Sequence, residues 1–119
     1  MRVLMHLLGK DVRRKIVEMA VRNYGVTDLA SMIGVSKAAI TKYVRGSTHP
    51  SDEVMERLLN VLDENLLSKA LVLIVEEFVE AMLDFKEFIE KTGCEERLYG
   101  AIEELKKTAE DLWSVCVTM

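Results

Sequence analysis

The chain has 119 residues, 50% of them hydrophobic and 30% charged. That is enough for one compact core, or a small domain with an appended element, and too apolar for a disordered chain. One proline, six glycines and few aromatics, beside abundant Leu, Met, Ala, Glu and Lys, favour helix over sheet, and no stretch alternates as a strand would. The formal charge of −4 is unevenly placed. Residues 1–50 hold nine Lys/Arg against three Asp/Glu, a balance of +6, whereas residues 51–119 hold seven against seventeen, a balance of −10. A basic half can sit on phosphate while an acidic half is repelled from it.

The apolar stretch Val3 to Leu8 is short, holds His6 and lacks a small-residue cleavage site, so it does not read as a signal peptide. The run Ala70 to Val75 falls far below the roughly 20 residues that span a bilayer. No membrane association and a cytoplasmic location are the expectation.

In chain order, Asp11 reads as the N-cap of a first helix to about Asn23, with Val12, Ile16, Met19 and Ala20 inward. Tyr24-Gly25 ends it. Thr27 reads as the cap of a short second helix with Leu29, Ala30 and Ile33 inward. After a tight turn at Gly34-Val35, Ser36 caps a third helix to about Arg45, which Gly46 stops. Ser47 to Pro50 is a loop, and Ser51 caps a fourth helix that buries Val54, Leu58, Val61 and Leu62.

From about Glu64 to Thr92 no breaker occurs. Leu67, Leu71, Ile74, Phe78, Ala81, Phe85 and Phe88 alternate spacings of four and three, the stripe of a long packed helix. Val75, Val79, Met82 and Ile89 widen that stripe, so this helix needs more than one neighbour. Gly93 breaks it. A last helix repeats the spacing through Leu98, Ile102, Leu105, Ala109, Leu112 and Cys116. Two long helices joined by so short a break fold back as an antiparallel hairpin. The expected fold is all-α: an N-terminal helix-turn-helix domain over residues 1–63, then a helical hairpin over 64–119.

The helix-turn-helix reading rests on a few steric requirements. The second helix needs a small residue where the next helix crosses it, the turn needs a residue tolerant of positive φ, and apolar residues must lock the third helix. Ala30, Gly34, Ile40 and Val44 fill these places, with Leu29, Ile33 and Val35 completing the lock. In the third helix Lys37, Thr41 and Arg45 form an outward row, with Ala38 and Lys42 beside it, and no carboxylate interrupts that face.

The string VTDLASMIGVSKAAITKYVRGSTHPS resembles the DNA-binding domains of the phage Cro and lambda-repressor (Xre-like) family, and the resemblance covers roughly residues 11–63. It implies that Lys37, Ala38 and Lys42 stand where the family reads bases. Lysines there suit guanine or phosphate, and Ala38 a thymine methyl. Thr27 stands where the family often has a phosphate-binding glutamine. The candidate DNA-contacting residues are Thr27, Ser36, Lys37, Ala38, Thr41, Lys42, Arg45, Thr48 and His49. Arg13, Arg14 and Lys15 suit either the phosphate backbone or a solvated helix face.

Dimerisation would double the phosphate contacts of so small a module and set its half-site spacing. The expected dimer face is Leu71, Ile74, Val75, Phe78, Val79, Met82, Phe85 and Ile89. The expectation is therefore a homodimeric transcriptional regulator of double-stranded DNA, not an enzyme, with no cofactor. Alternatives are an antitoxin-like or adaptor protein whose hairpin binds another partner, and a metabolite sensor, for which no convergent polar cluster is visible. His6 and His49 lie far apart in sequence, without an acid or cysteine at metal-ligand spacing. Cys94 and Cys116 read as two partly buried free thiols; at opposite ends of one helix they would stand roughly 33 Å apart, beyond disulfide reach.

Overall fold

A computed structural model describes residues 1–119. Seven helices follow one another: α1 Arg2–Leu7, α2 Lys10–Tyr24, α3 Val26–Ile33, α4 Lys37–Arg45, α5 Asp52–Val61, α6 Glu64–Thr92 and α7 Glu96–Thr118. The chain divides into two compact units, Met1–Glu80 and Ala81–Met119. No helix is long and apolar enough to cross a membrane.

In the first unit, α2 packs on α3 and α4, α3 packs on α4 and α5, and α1 lies on α5. The core follows the helical period of each element: Val12, Ile16, Val17 and Ala20 from α2, Leu29, Ala30 and Ile33 from α3, Ile40 from α4, and Val54, Met55, Leu58 and Leu59 from α5. Met19 and Val61, expected inward, are only half-buried and pack at the edge of this core.

Several local expectations are corrected. Asp11 is not a cap; α2 begins two residues earlier than that cap would allow, with Gly9 as its N-cap, and Asp11 lies in the first turn. Its carboxylate still suits the helix dipole there. Thr27 is not a cap either, because α3 begins at Val26 behind Gly25. Ser36 and Ser51 do cap, their hydroxyls accepting the N–H groups of Ala39 at 3.0 Å and Val54 at 3.2 Å. The opening residues form α1, which fixes Met5 and Leu8 in the core. Six residues are too few for a helical period to be read, and a helix that short persists only through packing.

Asp63, just ahead of α6, caps it: Oδ1 accepts the Leu66 N–H at 2.8 Å. The Tyr24 hydroxyl accepts the Asp63 N–H at 2.9 Å and donates to Oδ2 at 3.3 Å. The end of α2 and the start of α6 are thus held together. Leu66, Ala70 and Ile74 of α6 are buried in the first core, with Leu67, Leu73 and Phe78 half-buried against it. The buried row begins one residue before the expected seam, so Leu71 is 45% exposed. The α2–α5 domain needed another wall and took the side of α6 that begins at Leu66. The first unit therefore runs past the change of composition at residues 63–66.

The second unit is the end of α6, the Gly93 turn and α7. Gly93 has φ +89 and its N–H reaches the Ile89 carbonyl at 2.7 Å, closing α6 through a conformation that glycine adopts without steric cost. Met82 shares a groove with Ile102, Leu105, Ala109 and Trp113, so α7 returns beside the end of α6. No residue of α7 is buried. Of its expected inner row only Leu98 reaches half-burial, and Leu112 is 64% exposed. Both thiols are free and exposed, not partly buried as expected.

Candidate nucleic-acid interface

The geometry of α4 starts at the turn before it. Ala30 is 5% exposed, and its carbonyl accepts the N–H groups of Gly34 and Val35, the latter at 3.1 Å. Gly34 takes φ +68 and ψ +40, the left-handed conformation expected of it. Ser36 then restarts the helix, and Ile40, fully buried, anchors it with Tyr43 and Val44 at the edge of the core.

At the far end Gly46 has φ +77 and ψ +11. Its N–H bonds the Tyr43 carbonyl at 3.1 Å and the Ser47 N–H bonds the Lys42 carbonyl at 3.0 Å, the paired closure of a Schellman motif. Both ends of α4 are therefore fixed locally, by the Ser36 hydroxyl at the start and the Gly46 closure at the end.

On the outward side Lys37, Ala38, Lys42 and Arg45 are exposed. Thr41 is half-buried, and its hydroxyl donates to the Lys37 carbonyl at 3.2 Å, so that group is engaged within the helix. Lys37, Lys42 and Arg45 enter no ion pair, and α4 carries no acid. Three cations without counter-charge on one short helix face form a ready contact for an anionic surface. Thr27 and Ser36 are exposed at the starts of α3 and α4, and Thr48 and His49 are exposed in the loop after α4.

The structure separates Arg13, Arg14 and Lys15 of α2. Arg13 is 5% exposed and faces inward. Its Nε donates to the Leu8 carbonyl at 2.9 Å, Nη1 to the Pro50 carbonyl at 2.7 Å, and Nη2 to the Met5 carbonyl and, at 2.6 Å, to Asp52 Oδ1. It is a structural clip between α1, α2 and the start of α5, unavailable to phosphate. The Arg13 hydrogen bond holds the Asp52 carboxyl below its ordinary value, with the Arg13 charge assisting and partial desolvation opposing. Lys15 is simply exposed.

Arg14 lies with Lys10 and Asp11 along a groove of about 380 Å³ whose other wall is Gly46 to His49. Of these, Arg14 was open in sequence to either phosphate or solvent, and Lys10 is the site residue that sequence reasoning did not single out. Their i, i+4 spacing was visible, but not the side to which it turned. A second cavity, about 610 Å³, brings His6 and His49 together with Asp52 and Glu53, yet no three His, Cys, Asp or Glu side chains converge as a metal site requires.

Ala30, the Gly34 turn, the Ser36 cap, buried Ile40 and the open basic face of α4 define a DNA-binding helix-turn-helix. Residues 22–67 match the family described as Helix-turn-helix, and this part of the chain is a domain of the Cro and lambda-repressor (Xre) type, a class of DNA-binding transcription regulators. No curated protein and no solved structure matches the chain significantly.

Proposed function

We propose that the protein is a homodimeric regulator that binds duplex DNA sequence-specifically, with α4 in the major groove. The unpaired cations of α4, held on a helix whose inward side and both ends are fixed, carry this reading. Lys37 and Lys42 reach guanine edges or phosphates, Ala38 meets a thymine methyl, and Arg45 binds the backbone. Thr27 and Ser36 offer helix N-termini to phosphate. Thr48, His49, Lys10 and Arg14 flank α4 with a second backbone contact. Thr41 contributes little, its hydroxyl being engaged already. The protein acts in the cytoplasm by binding, without catalysis or a cofactor.

Exposed apolar surface supports the dimer. Leu71, Val75 and Val79 in the first unit, and Met82 and Phe85 in the second, are each between 45% and 51% exposed. Surface of this kind marks an interface more often than open water. Of the residues expected there, Ile74 is 3% exposed in its own core and is not available, Phe78 packs partly on that core, and Ile89 is half-buried. The test combines gel shifts on genomic fragments with a sizing measurement. A specific shift from a dimer is expected; no fragment preferred over random DNA would overturn the reading.

A further inference from the structure

On α7, Tyr99, Ile102, Lys106, Glu110, Trp113 and Val117 follow at spacings of three and four and so share one side of the helix. All six are exposed, Trp113 by 70%, Tyr99 by 58%, Val117 by 57% and Ile102 by 40%. Ile102, Lys106, Glu110 and Trp113 border a groove of about 470 Å³ with Met82 and Ala109. The ion pairs of the second unit are Lys86–Glu90, Lys91–Glu87 and Arg97–Glu95; Lys106 and Glu110 belong to none.

The column is its own complement when reversed. About a point midway between Lys106 and Glu110, Tyr99 mirrors Val117, the cation mirrors the anion, and Trp113 falls one residue short of the mirror position of Ile102. A two-fold axis at that level sets two α7 helices antiparallel, with Lys106 against Glu110 of the second copy and Glu110 against its Lys106. Each Trp113 then lies over Ile102 of the other chain, at the groove that Met82 and Ala109 line. Small Ala109, near the axis, lets the helices approach. A parallel pairing would instead set like charge on like charge, which opposes association.

We infer that the column of α7 from Tyr99 to Val117 is the centre of an antiparallel, two-fold contact with a second copy of this chain, held by reciprocal Lys106–Glu110 pairs and anchored by Trp113. This rests on the dimer reading above and locates its centre on α7, beyond the α6 residues expected from sequence. Trp113 fits the anchoring role because large aromatic side chains dominate the energetics of such contacts.

Sedimentation equilibrium of the full chain tests the pairing. Lys106→Glu and Glu110→Lys should each raise the dimer dissociation constant about tenfold, since each change spoils two reciprocal contacts. The combined Lys106→Glu/Glu110→Lys variant should return to the parent value, which separates pairing from misfolding. Lys107→Glu, the same change of charge on another side of α7, should leave it unmoved. Trp113 is the only tryptophan, so its emission should shift to the red as the dimer dissociates on dilution. A chain that stays monomeric at every concentration overturns the dimer reading itself. A dimer that Lys106→Glu weakens no more than Lys107→Glu, or whose dissociation leaves the emission unmoved, overturns this contact and leaves the dimer standing.

Discussion

Arg13 Nη2 lies 2.6 Å from Asp52 Oδ1, across a sequence separation that joins α2 to the first turn of α5. The same guanidinium also donates to three backbone carbonyls, those of Met5, Leu8 and Pro50. Replacing Arg13 by Met keeps the apolar stem and leaves these acceptors without their donor. Leaving a buried acceptor unsatisfied costs about 1–3 kcal/mol, so urea unfolding of the variant should show a loss of that order. An unchanged midpoint would show that the clip contributes nothing.

The same pair sets an acid limb. The Asp52 carboxyl is held below its ordinary value of 3.8, first by the Arg13 hydrogen bond. A depressed folded value means that the contribution is fully present above the ordinary value and is lost as pH falls through the folded one. Stability should therefore drop on acidification below about 4, and Asp52→Asn should flatten that limb while lowering stability at neutral pH. Identical acid profiles for parent and variant would rule the pair out as its source.

DNA affinity should fall steeply with salt, with a log–log slope of about −0.9 for each phosphate neutralised. Removing Lys37 and Lys42 together should reduce both the slope and the preference for the best site. A double variant that binds its site as the parent does would refute α4 as the reading helix.

Ala30→Leu should force α3 and α4 apart, at a cost of about 1–3 kcal/mol for overpacking. Specific binding should suffer while the helical signal of α6 and α7 persists. If melting and DNA binding both match the parent, Ala30 does not sit at the crossing.

The burial of Leu66, Ala70 and Ile74 gives a prediction about truncation. A fragment of residues 1–63 loses Leu66 and Ile74 from its core, each worth about 1.5–3 kcal/mol. A fragment of residues 1–80 keeps them. The shorter fragment should unfold at markedly lower temperature, and equal melting would show that the α6 row is not part of that core.

How far the sequence revealed this depends on how local each signal was. Ser36, Ser51, Gly34, Gly46 and Gly93 act through their own neighbours, and each was legible because cap and turn chemistry spans only a few residues. Ala30 and Ile40 were legible because their spacing is dictated by one helix crossing another. Most of what escaped depended on distant partners. Arg13, Arg14 and Lys15 are three similar cations in a row, and only the arrival of Pro50 and Asp52 distinguishes the first from the others. The heptad seam of α6 was read with α7 as its partner, whereas its opening turns serve the first core, which moves the buried row to begin at Leu66. Asp63 was missed although its cap bond to the Leu66 N–H is local; only its tie to Tyr24 depends on the far end of α2.

The nine residues of α4 are bounded by Ser36 on one side and left-handed Gly46 on the other, and held from beneath by Ile40. The side chains of Lys37, Ala38, Lys42 and Arg45 take no part in that hold. Folding and recognition are thus written in different letters of the same short helix. On the proposed function, its outward letters can be exchanged, by design or by drift, to redirect the protein to another DNA sequence while the scaffold beneath them stays the same.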